Sequence, residues 1–285
     1  MVKGTLLTEG TKISLAQGLS LKLGKPVESA QPYATSRLQW GLLLLDGDTL
    51  LSEEAVGFGV PVIKRGLQAI FPGEAVFDIQ EDKSCTFIQA RFRLNLVERF
   101  SRRKDGTVGS PLFYSMKDLF AAAIRRIPAS RAVLTTASSW LRQVFGWETL
   151  YTDAGYESEI TVNYSVKPAE GKIVFETDCS NLRSDITEVV MMHEQGAHNF
   201  DHYQDSSGVM LIGDHIGPWE EVHAAEAWFT SSTSKIMFKV GKVPGMRLFR
   251  GRELIGTRLA WAGFGYSFHP SNRNSRHEIT VIKRA

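Results

Sequence analysis

A strict alternation of apolar and polar residues over residues 85–100 constrains the fold of this chain more than any other feature. One set of alternate positions is apolar and the other is polar: Ile88, Ala90, Phe92, Leu94 and Leu96 against Gln89, Arg91, Arg93 and Asn95. Successive side chains of a strand point to opposite faces of its sheet, so this pattern predicts a long strand with one buried and one solvated face. Antiparallel sheets typically show this combination.

Turn signals between apolar runs predict further antiparallel hairpins. Three of them stand between strand-like segments: Asp46-Gly47-Asp48-Thr49, Glu81-Asp82-Lys83-Ser84 and Pro168-Ala169-Glu170-Gly171. Asp-Gly pairs and short Gly-containing loops are typical of hairpin connections. Glycines alternate with apolar residues at 56–63, which indicates a β-bulge or a close backbone approach, and Pro61 favours the edge of a sheet. The sequence therefore predicts a mainly β protein, a large antiparallel, super-sandwich-like β-sandwich.

The pattern changes to a helical period in the middle of the chain. Residues 115–127 carry an apolar stripe that ends at Pro128, and residues 130–145 resemble a second helix followed by Gly146. These segments predict a short helical insert around residues 115–146. We expect one large β domain over residues 1–285 with the insert at 101–150; two β halves, 1–100 and 151–285, are the alternative.

Composition excludes several classes of partner. The 285 residues carry a formal net charge of +2, which gives no global field to attract nucleic acid or an anionic membrane. No apolar run approaches the roughly 20 residues that a membrane-spanning helix needs. Cys85 and Cys179 lie in strand-like segments without metal-binding or disulfide spacing, and the N-terminus lacks a signal-peptide pattern. We expect a soluble, cytoplasmic protein that binds no nucleic acid and no membrane.

The stretch from His193 to Gly208 concentrates the groups that can do chemistry. It contains three of the seven histidines together with carboxylates and a tyrosine, and strand-like residues flank it on both sides. Such groups on a loop held by a rigid scaffold form a typical site. His193 and His198 are five residues apart with Gly196 between them, so the zincin motif, which needs a spacing of four on one helix, is absent.

We expect this stretch to process or bind a carbohydrate. Histidines and carboxylates suit proton transfer, and an aromatic wall with a few polar groups suits a sugar. By analogy at the level of fold, large β-sandwiches are often carbohydrate-active, as in the aldose-epimerase-like group. The predicted catalytic residues are His193, Glu194, His198, Asp201 and His202. The predicted substrate-binding residues are Tyr203, Asp205, Trp219, Arg91 and Arg93.

Two other functions remain open at this level. In a non-catalytic interaction or assembly protein the histidines would be structural, and the aromatic residues and strand edges would contact a partner or form a homo-oligomer. In a metal-dependent hydrolase, His198 and His202 would bind the ion if a helical turn formed there. Our expectation is a small-molecule or oligosaccharide ligand with neither cofactor nor metal.

Overall fold

The computed structural model describes residues 12–26, 38–66, 68–82, 84–103, 147–153, 155–255, 259–272 and 274–284. The side chains of residues 96–103, 147–153, 255 and 259 are not among those described. The predicted helices of residues 115–146 lie outside the described residues. Of the wider insert, 101–150, the structure describes residues 101–103 and 147–150, which belong to strands. The described residues form the strands β1 (Lys12–Ser14), β2 (Leu19–Leu23), β3 (Leu42–Asp46), β4 (Thr49–Leu50), β5 (Gly57–Arg65), β6 (Gln68–Glu81), β7 (Thr86–Arg103), β8 (Trp147–Asp153), β9 (Glu159–Lys167), β10 (Lys172–Asp178), β11 (Glu188–Gly196), β12 (His202–Asp205), β13 (Met210–Ile212), β14 (Glu220–Val222), β15 (Glu226–Thr230), β16 (Ile236–Gly241), β17 (Arg247–Ile255), β18 (Leu259–Phe268) and β19 (Asn274–Lys283).

The predicted antiparallel β-sandwich is confirmed. The alternate residues Ile88, Ala90, Phe92 and Leu94 of β7 are buried, whereas Gln89, Arg91 and Arg93 are exposed. The three predicted hairpins form with Asp46 opposite Thr49, Glu81 opposite Thr86, and Lys167 opposite Lys172. Gly47 is the first residue of its two-residue turn and has φ 59°, a value that glycine adopts without strain.

The strands form two packed layers. The first layer follows the pairing order β14-β17-β18-β11-β5 and continues through β3 to β2 and β1; the second follows β7-β9-β10-β19-β16-β15-β12-β13. β6 pairs with both β5 and β7 and so links the layers. Aromatic contacts fill the space between them: the rings of Phe58 and Phe238 lie 5.4 Å apart, and those of Phe238 and Phe264 lie 5.7 Å apart.

The predicted bulge in β5 is confirmed, but β5 has partners on both of its sides. The pairing of β5 with β11 shifts register between Met192 and His193, opposite Gly59. On its other side, β5 pairs with β3 at Phe58 and with β6 from Ile63 onward. Pro61 falls between these two short ladders, where a missing N–H donor disrupts no strand pairing. A gap between ladders thus accommodates the proline that suggested an edge strand.

The stretch from His193 to Gly208 differs from the sequence-based expectation. It is not one loop, because its first four residues complete β11 and residues 202–205 form β12.

The described residues contain no helix that is long and apolar enough to cross a membrane. Cys85 and Cys179 are both buried free thiols.

Candidate functional site

The run His193-Glu194-Gln195-Gly196 ends β11, so its residues alternate between two faces of the first layer. His193 and Gln195 continue the inward face of Val189 and Met191 and are fully buried between the layers. Glu194 and Gly196 lie on the outward face. The strand period therefore separates the predicted catalytic pair His193 and Glu194.

His193 meets a second histidine in the core. Its Nε2 lies 2.7 Å from Nε2 of His277 on β19, and the Gly59 amide donates a 3.1 Å hydrogen bond to its Nδ1. A neutral imidazole has one donor and one acceptor nitrogen. Because Nδ1 of His193 accepts, its Nε2 carries the proton and donates to His277, whose proton is then on Nδ1. That Nδ1 is buried and has no hydrogen-bond partner among the described residues.

Both histidines are held uncharged. Burial lowers the pKa of His277 to about 3. Burial, with a further contribution from the charge of His277, lowers the pKa of His193 well below its usual value. Phe175 stacks on the His277 ring at 5.2 Å, and the Tyr266 ring lies 4.4 Å from it, so an apolar wall surrounds the pair.

Gln195 ties β11 to the strand β3 and to the loop that follows β4. Its Oε1 accepts hydrogen bonds from the Leu44 amide at 3.2 Å and from the Ser52 hydroxyl. Its Nε2 donates to the Leu42 carbonyl at 3.2 Å. These contacts use the side chain of Gln195 for the scaffold.

The outward face carries a row of glycines around Glu194. Across the sheet, Glu194 pairs with Gly57 on one side and Gly263 on the other, and Gly263 pairs with Gly251. We call Gly57, Gly263 and Gly251 the glycine row. A Cβ on Gly263 would overlap the carbonyl oxygen of His193, so the strands approach too closely there for any side chain. Glu194 is thus the one residue of these four positions with a side chain.

Apolar residues flank Glu194 on the neighbouring strands of this face. On the β5 side, Leu38, Val56 and Val60 pack with Trp40, Phe71 and Met192. On the β17 side, the Trp261 ring and the backbone of Trp219 cover Gly251. One carboxyl oxygen, Oε2, accepts a 3.3 Å hydrogen bond from the Val56 amide. Burial raises the pKa of Glu194 to about 8, with Glu253 adding to the rise and the Val56 hydrogen bond opposing it.

A polar group covers the next outward position, Gly196. The Glu53 side chain lies over this glycine, with its carboxyl carbon 2.7 Å from where a Cβ would stand. Glu53 bonds Nδ1 of His198 at 2.6 Å and accepts from Nδ2 of Asn199 at 2.8 Å. The His198 side chain is 58% exposed. Glu53, His198 and Asn199 therefore form a polar rim that solvent reaches.

Two stacked tryptophans stand beside this rim. Trp261 is paired across the sheet with Gly196 and with Glu253. Its ring and that of Trp219 are 4.7 Å apart at an interplanar angle of 18°. Trp219 is half-buried, so part of its indole is open to solvent, whereas Trp261 is 5% exposed.

Buried arginines hold the loop that carries Trp219. Arg250 donates to the carbonyl of Ile216 and forms a 2.8 Å ion pair with Glu220. The Arg252 amide donates to the carbonyl of Gly217 at 2.7 Å. The Arg252 guanidinium donates to Ala197 and to Asp214, both near 3 Å. These contacts fix the indole before any ligand arrives.

The other predicted site residues of the stretch 193–208 lie elsewhere. Asp201 bonds Nδ1 of His202 at 2.9 Å and accepts from the Ser232 hydroxyl at 2.9 Å. Burial would raise the pKa of Asp201, but these hydrogen bonds outweigh it and lower that pKa. Tyr203 is buried in the second layer and donates to Asp205 at 2.9 Å.

Arg91 and Arg93 lie on the exposed face of β7. Arg91 pairs with Asp78 at 3.4 Å, and Arg93 pairs with Glu74 at 3.4 Å and Glu157 at 3.1 Å. All of these side chains are about half exposed or more. They form a ladder of surface ion pairs across β6, β7 and the segment that precedes β9.

The structure thus places Glu194, His198 and Trp219 on or beside the outward face of the first layer, apart from the remaining predicted residues. It adds Glu53, Trp261 and the glycine row, which sequence reasoning did not assign to the site. The alternation of Val189–Met192, extended by four residues, would have separated the faces of β11. Within the described ranges, no group of three or more His, Cys, Asp or Glu residues is arranged to hold a metal ion; His198 and His202 pair with different carboxylates.

Comparison with known proteins gives the fold. No protein family matches the sequence, and no curated protein matches it. The structure is similar to the α-N-acetylgalactosaminidase NagBb from Bifidobacterium bifidum in its GalNAc complex, with a TM-score of 0.52 and 10% identity over 96% of this chain and 36% of that one. Its Gal-NHAc-DNJ complex gives a TM-score of 0.50 at 10% identity with the same coverage. The chain therefore spans about a third of the length of this α-N-acetylgalactosaminidase and shares the fold of the part that it matches.

Proposed function

We propose that this protein binds a carbohydrate on the outward face of the first layer, beside Trp219 and the polar rim of Glu53, His198 and Asn199. The observation that carries the proposal is the fixed, half-exposed indole of Trp219 beside that polar rim. A sugar ring has an apolar face and a polar edge, and an aromatic surface bordered by hydrogen-bonding groups complements both. The fold is one that a carbohydrate-processing enzyme also contains, which supports this class of ligand.

The rim supplies hydrogen bonds of both kinds. The Glu53 carboxylate can accept, and Nε2 of the exposed His198, whose Nδ1 faces Glu53, accepts when the ring is neutral and donates when it is protonated. Both Nδ2 protons of Asn199 are already used by Glu53 and the Leu51 carbonyl, so this residue holds the rim in place. The Glu53–His198 pair lies at the surface, where a sugar hydroxyl can replace water around it. The glycine row continues the same face, where neighbouring backbone and the Trp261 ring lie too close for larger side chains. Glu194, with its high pKa, is the group of this face that is best suited to proton transfer.

The test is binding of a panel of methyl glycosides by calorimetry or ligand-observed NMR. We expect measurable binding to one or more of the α-galactoside, α-N-acetylgalactosaminide, α-glucoside and α-mannoside. Trp219→Ala should weaken the tightest binder by at least about tenfold, because it removes an aromatic contact worth roughly 1.4 kcal/mol or more.

Trp228→Ala is the matched control. Trp228 is also half-buried and has its indole nitrogen bonded to Gln204 at 3.0 Å, but it belongs to β15 of the second layer. Its loss should leave affinity within about twofold of the wild type. Equal losses from both tryptophan variants, or no binding by any glycoside, would exclude this location for the site.

A further inference from the structure

The Glu194 carboxyl has an unusual set of neighbours. Its Oε2 accepts from the Val56 amide, and its second oxygen has no hydrogen-bond partner among the described residues. Glu194 forms no ion pair with a described residue. By contrast, Glu188, on the same strand and face, pairs with Lys64 and Arg247. A buried carboxylate without a cation is costly, whereas an uncharged carboxylic acid is not.

The groups that face Glu194 from each packed element favour the uncharged form. β5 and the residue before it present Gly57 and Val56, and β18 presents Gly263. Besides Glu188 with its partners Lys64 and Arg247, the titratable groups on this face are Glu253 of β17 and the Glu53–His198 pair beyond Gly196. The negative charge of Glu253 opposes a second one on Glu194.

An uncharged carboxyl has a proton to donate, and the hydrogen bond that Glu194 makes with the Val56 amide is one that it accepts. Glu194 is 4% exposed, so a ligand can reach it with little more than a single atom. In a sugar, the ring and glycosidic ether oxygens can only accept hydrogen bonds, whereas each hydroxyl can do both. A hydroxyl group in this confined position would need an acceptor for its own proton, whereas an ether oxygen would not. A neutral acid therefore favours an ether oxygen here.

We propose that Glu194 contacts the bound sugar as an uncharged acid and donates a hydrogen bond to its ring or glycosidic oxygen, so that the ligand is a cyclic acetal. This inference rests on the proposed carbohydrate function and adds the protonation state and the recognised oxygen. The burial-raised pKa of Glu194, about 8, agrees with the geometry.

The protonation state is tested without a ligand. In protein labelled with ¹³C at glutamate side-chain carboxyls, the resonance missing from Glu194→Gln identifies Glu194. We expect its chemical shift to titrate between about pH 7 and 9, and titration near the ordinary value of about 4.3 would overturn the inference. Glu278→Gln, on the exposed face of β19, is the labelling control and should remove a different resonance.

The recognised oxygen is tested with the tightest-binding methyl glycoside of the panel. Wild-type affinity should fall by up to about tenfold per pH unit above pH 8, as the donor is lost. Glu194→Gln keeps a neutral donor at every pH, so it should bind at neutral pH within about threefold of the wild type and without the alkaline loss. Glu194→Leu should bind at least about tenfold more weakly throughout.

Three outcomes separate this inference from the function on which it rests. Affinity that rises with pH, or a Glu194→Gln variant as weak as Glu194→Leu, would mean that Glu194 binds as an anion and would overturn the inference alone. A carba-analogue of the same glycoside, with CH₂ in place of the ring oxygen, that binds as well as the parent would exclude the ring oxygen and leave the glycosidic one. Failure of every glycoside to bind, with the alkaline titration intact, would overturn the proposed function and the sugar contact together.

Discussion

The two faces of β11 place neighbouring residues in opposite chemical situations. On the inward face, His193 is bonded through both ring nitrogens and Gln195 through both of its side-chain polar atoms. On the outward face, Glu194 has one hydrogen bond from a backbone amide and Gly196 leaves space that Glu53 covers. Polar groups buried on the inward face therefore build the scaffold, and those on the outward face keep unused bonding capacity.

The comparison of the two faces shows that a buried polar residue does not always have a structural role. His193 and Glu194 are both almost inaccessible, yet the histidine has satisfied its nitrogens and the glutamate has not satisfied its carboxyl. The predicted pH dependence of stability also has opposite signs on the two faces. Variants of adjacent residues can test this, from the strongest effect to the weakest.

Gly263→Val should have the largest effect, because it disrupts both faces at once. The new Cβ would overlap the His193 carbonyl, a backbone atom that cannot move without shifting β11. We expect a loss of more than about 4 kcal/mol in the free energy of unfolding, or failure to fold. Urea unfolding followed by tryptophan fluorescence measures it.

Gly265→Ala is the matched control on the same strand. Its Cβ would meet Val190 at 3.4 Å and the Trp219 ring at 3.6 Å, which are ordinary contacts. A cost below about 1 kcal/mol is expected there. Similar costs at Gly263 and Gly265 would mean that the close approach of β11 and β18 is absent in solution.

Gln195→Leu tests the inward face by itself. It removes a donor from the Leu42 carbonyl and leaves the Leu44 amide and the Ser52 hydroxyl with fewer partners, so we expect a loss of about 2–4 kcal/mol in urea unfolding. Gln204→Leu removes a half-exposed glutamine that bonds Trp228, and it should cost less than about 1 kcal/mol. A Gln195 variant as stable as the wild type would show that these bonds add nothing to the fold.

Local sequence patterns were sufficient to predict the antiparallel β fold. The alternation of β7 and the three hairpin turns each depend on neighbouring residues, so they could be read without knowing the tertiary structure. The chemistry of β11 depends on partners far along the chain: Gly59 and His277 for His193, Val56 for Glu194, and Glu53 for His198. No spacing in the sequence encodes these contacts, which is why histidines that were predicted to act together occupy different environments.

Glu194 was among the predicted catalytic residues, but the physical cause of its raised pKa was not predicted. A cluster of His and carboxylate residues suggested acid–base chemistry, whereas the raised pKa comes from apolar burial and from the glycine row. The glycines that alternate with apolar residues at 56–63 did indicate a β-bulge or a close backbone approach. What they could not indicate was that Gly57 and Gly263, from two different strands, flank a glutamate.

The His193–His277 pair should make the fold sensitive to acid. Both histidines are neutral in the fold with lowered pKa values, and in the unfolded chain they protonate near pH 6.5. The stability they contribute is thus full above about pH 6.5 and is lost as pH falls, by about 1.4 kcal/mol per pH unit for each histidine. Free energies of unfolding between pH 7 and 4.5 measure this slope.

His277→Leu removes one titrating group and should reduce that slope by about 1.4 kcal/mol per pH unit, whatever it does to stability at pH 7. His269→Leu, at an exposed position, should leave the slope unchanged. Identical slopes in the wild type and the His277 variant would contradict a neutral buried pair.

Glu194→Gln should change stability in the opposite pH direction. The Glu194 pKa is raised to about 8 in the fold, so between about pH 4.5 and 8 the unfolded chain is ionised while the fold holds its proton. Wild-type stability therefore falls with rising pH over this window, by up to about 1.4 kcal/mol per pH unit from this residue. The variant should gain stability relative to the wild type from pH 5 to pH 8. A constant difference across that range would indicate an ordinary, ionised glutamate.

His198→Gln should have the smallest effect on the free energy of unfolding. A small effect would support the assignment of His198 to the solvent-exposed rim. His198 is bonded to Glu53 at 2.6 Å, but its side chain is 58% exposed. Exposed ion pairs contribute less than about 1 kcal/mol because water and salt screen them. We therefore expect the free energy of unfolding in urea to change by less than about 1 kcal/mol. Glycoside binding should be weaker. A large loss of stability would place His198 with His193 and Gln195 in the scaffold, and the division between the two faces of β11 would then fail beyond Gly196.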